Sequence, residues 1–232
     1  MQSNLASAPA GSRVDRGLAR GPVGRLWSVA FAALYDPMNR AAEQAGIGEW
    51  RAELLARAAG DVLEIGAGTG ANLDHYPAGI RSLTLAEPDA AMRRRLEGKL
   101  AAERRARILD ARAEALPLPD GSVDTVAATY VLCSVELQPA LSEIRRVLRP
   151  EGQLLFCEHV RSAEPRLARW QDRLNRPWRA LACGCNCNRD TERALAGAGF
   201  EITAIERGGV DAELALVRPT IRGRAVPEDA RR

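Results

Sequence analysis

Lysine is almost absent from this chain: Lys99 is the only one, and arginine carries nearly all of the positive charge. Histidine is scarce too. With only two, His75 and His159, few side chains titrate near neutrality, so the candidates for proton transfer are few. Aromatic residues make up 4% of the sequence. No apolar run is long enough to cross a bilayer; the stretch 26–35 is the best candidate and is too short. No small-residue cleavage site follows it convincingly, which argues against an export signal. A net charge of +3 sets up no field for nucleic acid, and none is expected as a partner. The five cysteines are an odd number and fit no secreted disulfide framework, so a reduced, cytoplasmic protein is expected.

What is present is an alternation. Residues 1–24 are polar and expected to be disordered, and 25–58 read as a helical lid broken near Asp36 and Pro37. From there short apolar runs at 62–65, 82–87, 107–110, 123–130, 153–158, 200–206 and 213–217 are candidate strands. Charged, periodic stretches at 90–105, 136–148 and 189–198 are candidate helices. Such alternation predicts an α/β fold, a mainly parallel seven-stranded sheet with helices on both faces. The last two strands lie close enough in sequence for an edge hairpin. The span 25–222 reads as one domain, followed by a polar tail at 223–232.

The first strand runs into Gly66-Ala67-Gly68-Thr69-Gly70, where glycines open backbone angles closed to other residues and let a ligand approach the main chain. The spacing is G-x-G-x-G, with an acid ahead of it at Glu64 and a second acid, Glu87, ending the next strand. An acid there suits ribose hydroxyls. Together these features resemble the class I S-adenosylmethionine (SAM) methyltransferases, which share a Rossmann-like fold. The resemblance implies that Gly66, Ala67, Gly68 and Gly70 meet the methionine half of SAM. Glu64 would reach its ammonium through water or backbone, and Asn72 would hold the helix start. Glu87 and Pro88 fall at the ribose, and Ala113 and Glu114 meet the adenine through their main chain. Arg112 stands where many relatives carry Asp. Tyr130 and Leu132, after the fourth strand, fall where the methyl group is lined, and Tyr35 on the lid would bond the SAM carboxylate.

A narrower set recurs together: Leu34-Tyr35-Asp36-Pro37-Met38-Asn39, Gly68-Thr69-Gly70-Ala71-Asn72, Val131-Leu132-Cys133-Ser134-Val135 and Glu158-His159-Val160. With these come Trp170-Gln171, Pro177-Trp178, Gly184-Cys185-Asn186, Arg189-Asp190-Thr191 and Leu216-Val217-Arg218-Pro219. This set resembles the methyltransferase-like seven family, the alkyl-thiol S-methyltransferases, and its bacterial relatives. The expected activity is methyl transfer to the sulfur of a small apolar thiol. The alternatives are N- or O-methylation of a small molecule or phospholipid headgroup, and a non-catalytic SAM-binding regulator. The resemblance implies a hydrophobic membrane anchor in the animal members, and none is expected here, where only the short stretch 26–35 is apolar. Trp27, Phe31 and Tyr35 are expected to close the cofactor pocket from inside, with shallow membrane contact the second reading.

A thiol needs little base strength, and His159, at the end of the fifth strand, is the first candidate to accept its proton. A structural histidine bonded to Glu158 or to backbone is the competing reading. Asp36 is the second candidate, unless it only ends a helix. His75 reads as a surface or packing residue. Cys133, between Leu and Val, reads as a small buried hydrophobe lining the substrate pocket rather than a nucleophile. Trp170, Trp178 and Cys185 are further candidates for that pocket. Cys183, Cys185 and Cys187 alternate, which in an extended segment would put three sulfurs on one side. Zinc sites usually show C-x-x-C spacing and a fourth ligand, neither of which is evident, so no metal is expected.

Overall fold

The computed structural model describes residues 22–100 and 106–228. The expected disorder of 1–21 lies outside the described residues, and Pro22 already opens a helix. In chain order the elements are α1 (Pro22–Ala42), α2 (Gly48–Leu55), β1 (Asp61–Ile65), β2 (Ser82–Ala86), α3 (Ala90–Lys99) and β3 (Ala106–Leu109). There follow β4 (Val123–Thr129), α4 (Leu137–Val147), β5 (Leu148–His159), α5 (Pro165–Leu181), α6 (Thr191–Gly197), β6 (Phe200–Gly208) and β7 (Thr220–Pro227).

The seven strands form one sheet in the order β3-β2-β1-β4-β5-β7-β6. Five strands are parallel, and β7 runs antiparallel between β5 and β6. Strand order reverses between β1 and β4, so the crevice for a ligand falls at the carboxyl ends of those two strands. Central strands are apolar on both faces because helices cover both: Leu63, Val126 and Leu154 are buried on one face, and Val62, Ala127 and Leu155 on the other. The amphipathic α4 shows the matching helical pattern, presenting Ala140, Leu141, Ile144 and Val147 to the sheet.

Four expectations are corrected. The break in the lid falls not at Pro37 but at Gly46, whose φ of 140° is open to glycine, while α1 runs through the proline. Residues 213–217 are turn and irregular chain, and the last strand is Thr220–Pro227, so the first half of the supposed polar tail, 223–227, belongs to the sheet. Its arginines hid it: Arg222 and Arg224 pair with Glu206 and Gln153, while Ile221 and Ala225 point into the core. Gly223 lets the strands close up, since a Cβ there would meet Ala204 O at 2.2 Å. No helix was expected between 158 and 189, yet α5 lies there, capped by Glu164, whose carboxylate accepts from the Arg166 and Leu167 N–H groups.

Candidate active site

The glycine loop is built for two purposes. Gly66 and Gly70 have φ of 65° and 85°, and a Cβ on either would strike Val131 or Leu96 within 2.3 and 2.8 Å. These two let the loop pack. Gly68, at φ 55°, faces open space, with nothing nearer than Gly66 O at 3.9 Å. A ligand can reach the main chain there. Beside it Glu87, 7% exposed at the end of β2, accepts hydrogen bonds from the Gly68 N–H at 2.9 Å and the Asp89 N–H at 2.8 Å. Burial raises this carboxyl above its ordinary range. An acid at the second strand's end beside an open glycine fits the ribose and methionine parts of SAM. Pro88 follows it, exposed. Ala113 is buried and Glu114 is partly buried, its carboxylate engaged by Arg112 and the Glu136 N–H.

Glu64 lies beneath the loop, 2% exposed. Its two oxygens accept from Asn72 Nδ2 at 2.9 Å and Tyr76 OH at 2.8 Å, and burial lifts its carboxyl to about 7. Asn72 in turn accepts from Arg51 at 2.9 Å, and Arg51 also donates to Thr129 and Glu43. This closed network ties α2, β1, β4 and the glycine loop together, which makes Glu64 a support for Asn72 in this arrangement. Arg51 carried no sequence signal. It is one charged residue in a short charged helix, and only the tertiary fold buries it.

The lid covers the loop through Asp36. Thr69 Oγ1 donates to Asp36 Oδ1, and Lys99 Nζ stands 2.6 Å from Asp36 Oδ2. Burial works against the charge, but Lys99 and Thr69 outweigh it and hold the carboxyl below its ordinary range. A carboxylate so paired is a poor proton acceptor, so Asp36 is a latch in this arrangement. Trp27, Phe31 and Tyr35 form a ladder along α1 with ring centroids 6.4 and 5.7 Å apart. Burial pushes the Tyr35 hydroxyl up to about 12.

The second half of the site gathers at the ends of β4 and β5. His159 Nε2 bonds Glu213 Oε1 at 3.1 Å, and its Nδ1 stands 3.8 Å from Cys185 Sγ. Cys133 completes the group: one ligand atom from each of Cys133, His159 and Cys185 lies within 4.8 Å of the others. The Tyr130 ring, at the positive φ of 55°, packs on His159 at 4.5 Å and takes the Arg51 guanidinium over its ring at 5.1 Å. Burial works against the imidazolium, but hydrogen bonds to Cys133 and Glu213 raise the ring to about 9. The ring thus sits between a carboxylate on Nε2 and the two cysteine sulfurs near Nδ1. The hydrogen bond to Cys185, then burial, pushes the Cys133 thiol well up; the same bond holds Cys185 down.

Glu158 does not bond His159. Fully buried, it accepts from the Val131 and Leu132 N–H groups at 3.0 and 2.8 Å and from Cys133 N–H at 3.1 Å, fixing the loop that carries Cys133. Leu132 is core, with its N–H on Glu158 and its carbonyl on Arg189, so its place among the ligand-lining residues is not supported. Trp178 bears on Cys185, but Trp170 is 55% exposed under Arg173 and leaves the pocket. Its neighbour matters more: Gln171, fully buried, donates to the Val160 and Leu216 carbonyls and so docks the loop that brings Glu213 to His159. The three alternating cysteines do not share a side. Positive φ at Cys183 and Gly184 turns the chain, leaving Cys183 exposed, Cys185 at His159 and Cys187 buried against Asn175.

A methyltransferase domain model matches residues 63–156. The chain is 39% identical to the human (Homo sapiens) thiol S-methyltransferase TMT1B over 74% of its length and 73% of that protein's. With human TMT1A the identity is 40%, covering 71% of this chain and 70% of the relative. The chain belongs to the thiol S-methyltransferase family. It is a methyltransferase by that membership, with the class I fold expected from its glycine loop. The fold also matches a SAM-dependent methyltransferase of Thermotoga maritima, with a TM-score of 0.65, 20% identity, and coverage of 87% of this chain and 98% of that one. Among the described residues no helix is long and apolar enough to cross a membrane.

Proposed function

We propose that this enzyme transfers the methyl group of SAM to the sulfur of a small, apolar thiol. The observation that carries the reading is the pairing of the glycine loop and Glu87 with a pocket of His159, Cys133 and Cys185 at the ends of the neighbouring strands. When bound, SAM supplies a methyl on a sulfonium, already electrophilic, so the protein's work is to position and to exclude water. Gly68 and Glu87 would hold the ribose and methionine parts, and the main chain at Ala113 and Glu114 the adenine.

A thiol with a pKa near 8.5 is only a few per cent ionised at neutral pH. His159, braced by Glu213 and facing the two cysteine sulfurs, is the residue placed to favour the ionised form. Tyr130 and Trp178 supply apolar walls for a short alkyl or aryl group. The five cysteines are free, which suits action in a reducing compartment such as the cytoplasm.

The test is mass spectrometry of reactions holding purified protein, SAM and a panel of alkyl and aryl thiols, sulfide, amines, catechols and phosphatidylethanolamine. Methylated thiols alone are expected. Methylated amine, catechol or lipid with thiols untouched would overturn the choice of nucleophile, and SAM binding with no product would make the protein a regulator.

A further inference from the structure

Cys133 follows β4, His159 ends β5 and Cys185 lies beyond α5, so only the fold assembles them. In sequence the cysteines that stood out were the run Cys183, Cys185 and Cys187, for which no metal was expected, and one member of that run joins the group. Two soft thiol sulfurs and an imidazole nitrogen within 4.8 Å of one another are a donor set suited to zinc.

The distances are close to what such an ion needs. With Zn–S near 2.3 Å and Zn–N near 2.0–2.1 Å, ligand atoms around tetrahedral zinc stand about 3.5–3.8 Å apart. Cys185 Sγ and His159 Nδ1 are already at 3.8 Å, and the widest separation of 4.8 Å closes with a movement of about 1 Å. The surroundings match a metal site as well. Nε2, the ring nitrogen turned away from the sulfurs, donates to Glu213 at 3.1 Å, the carboxylate–histidine support typical of metal-bound imidazole. Glu213 Oε2 is buried with no hydrogen-bond partner, so the hydrogen bond this carboxyl group makes is the one to His159. Both cysteine loops are anchored. Glu158 holds the Cys133 N–H, and Asn186 donates to the Cys133 carbonyl from both its main chain and its side chain, stitching the Cys185 loop to it. Gly184 permits that approach, since a Cβ there would press on Ser134 O at 3.1 Å.

We propose that Cys133, His159 and Cys185 form a zinc site whose fourth position takes the sulfur of the substrate. Three protein ligands with one place left for substrate is the arrangement of catalytic rather than structural zinc. On binding, the substrate's S–H bond breaks, the proton leaves to solvent and a sulfur electron pair bonds the metal. The bound thiolate is then methylated, the electron pair of the broken sulfonium bond staying with S-adenosylhomocysteine. The neutral thioether so formed is a weak ligand and departs. Over the cycle a thiol and SAM become a thioether, S-adenosylhomocysteine and one proton. The role of the fourth position rests on the thiol reading above; the metal site does not.

The experiment uses the full chain purified without chelator, with zinc measured by mass spectrometry and cobalt(II) titrated into metal-depleted protein. We expect one zinc per chain, and with cobalt a thiolate-to-metal charge-transfer band and tetrahedral d–d bands that shift when an alkanethiol is added. Cys133→Ser with Cys185→Ser should abolish the bands, Cys183→Ala should keep them, and Glu213→Ala should weaken zinc by about 10–100-fold. Circular dichroism of each variant separates loss of metal from loss of fold, and the wild-type cobalt spectrum decides even where a variant fails to fold. No thiolate–cobalt band in the wild type, or bands retained in the double variant, overturns the site. Metal-depleted protein that methylates thiols at full rate overturns the role of zinc and leaves the thiol reading standing. Zinc-loaded protein that binds the metal through both cysteines but leaves thiols untouched supports the site and overturns the thiol reading.

Discussion

Thr69 donates a 2.5 Å hydrogen bond to Asp36, joining the glycine loop to the lid helix across 33 positions of chain. Lys99, the chain's only lysine, closes the same carboxylate from α3. The lid is thus latched at the lip of the proposed cofactor site. Asp36→Ala removes both contacts, so hydrogen exchange along α1 should quicken severalfold while the secondary structure holds. Because the Asp36 carboxyl is held low, the latch is intact above the ordinary carboxylate range and opens only as the pH falls through the depressed value. Unchanged exchange in the variant would show that Asp36 holds nothing.

Glu87 holds the loop main chain and, in the proposed function, the ribose. Its removal should weaken SAM binding by more than about tenfold, the loss of two hydrogen bonds to a charged acceptor. Calorimetry on Glu87→Ala reads this directly. An unaltered dissociation constant would remove Glu87 from the cofactor site.

His159 stands between Glu213 and the two sulfurs, so His159→Ala should lower turnover on thiols by about a hundredfold. Raising the pH should return part of the loss, because the substrate thiol then ionises by its own pKa. A flat pH response of the remaining activity would count against any role in favouring the thiolate. Turnover equal to the wild type at neutral pH would remove the residue from the reaction.

Local patterns made much of this legible in the sequence. Apolar runs marked six of the seven strands, and the glycine spacing with Glu64 and Glu87 marked the ends of β1 and β2, where the strand order reverses beside β4. What escaped was set by contacts far apart in sequence. Glu213 lies 54 positions from His159, and Gln171, within a helix unexpected there, brings its loop into place. Arg51 is charged like its neighbours and differs only in being buried. β7 was missed for the opposite reason: its arginines look solvent-bound, yet they lie along a strand whose alternate residues are core. The cysteine run misled because its alternation assumed an extended chain, and Cys183 and Gly184 turn it.

Glu158 supports the Cys133 loop through three main-chain N–H groups. In Glu158→Gln the amide oxygen can still accept from Val131 and Leu132, but the NH₂ group then faces the Cys133 N–H, donor to donor. The expected cost is about 1–3 kcal/mol, measured by chemical denaturation. Stability equal to the wild type would mean the loop is held by other contacts.

Glu64 gives the pH dependence a definite sign. Its carboxyl is raised from 4.5 to about 7 in the folded protein, chiefly by burial. Folding therefore favours its protonated form. The resulting stability is full below the unfolded value near 4.5 and is lost as the pH rises through about 7. From Glu64 alone the protein should lose roughly 1–3 kcal/mol between pH 5 and pH 8. Glu158, also lifted to about 7 by burial, adds in the same direction. Glu64→Gln is neutral throughout and keeps an oxygen for Asn72 Nδ2, so it removes one share and leaves the other. The difference in melting temperature between variant and wild type should move in the variant's favour from pH 5 to pH 8. A difference that stays flat across that range would mean Glu64 is ionised in the folded protein at both ends, with Arg51 compensating its charge through Asn72.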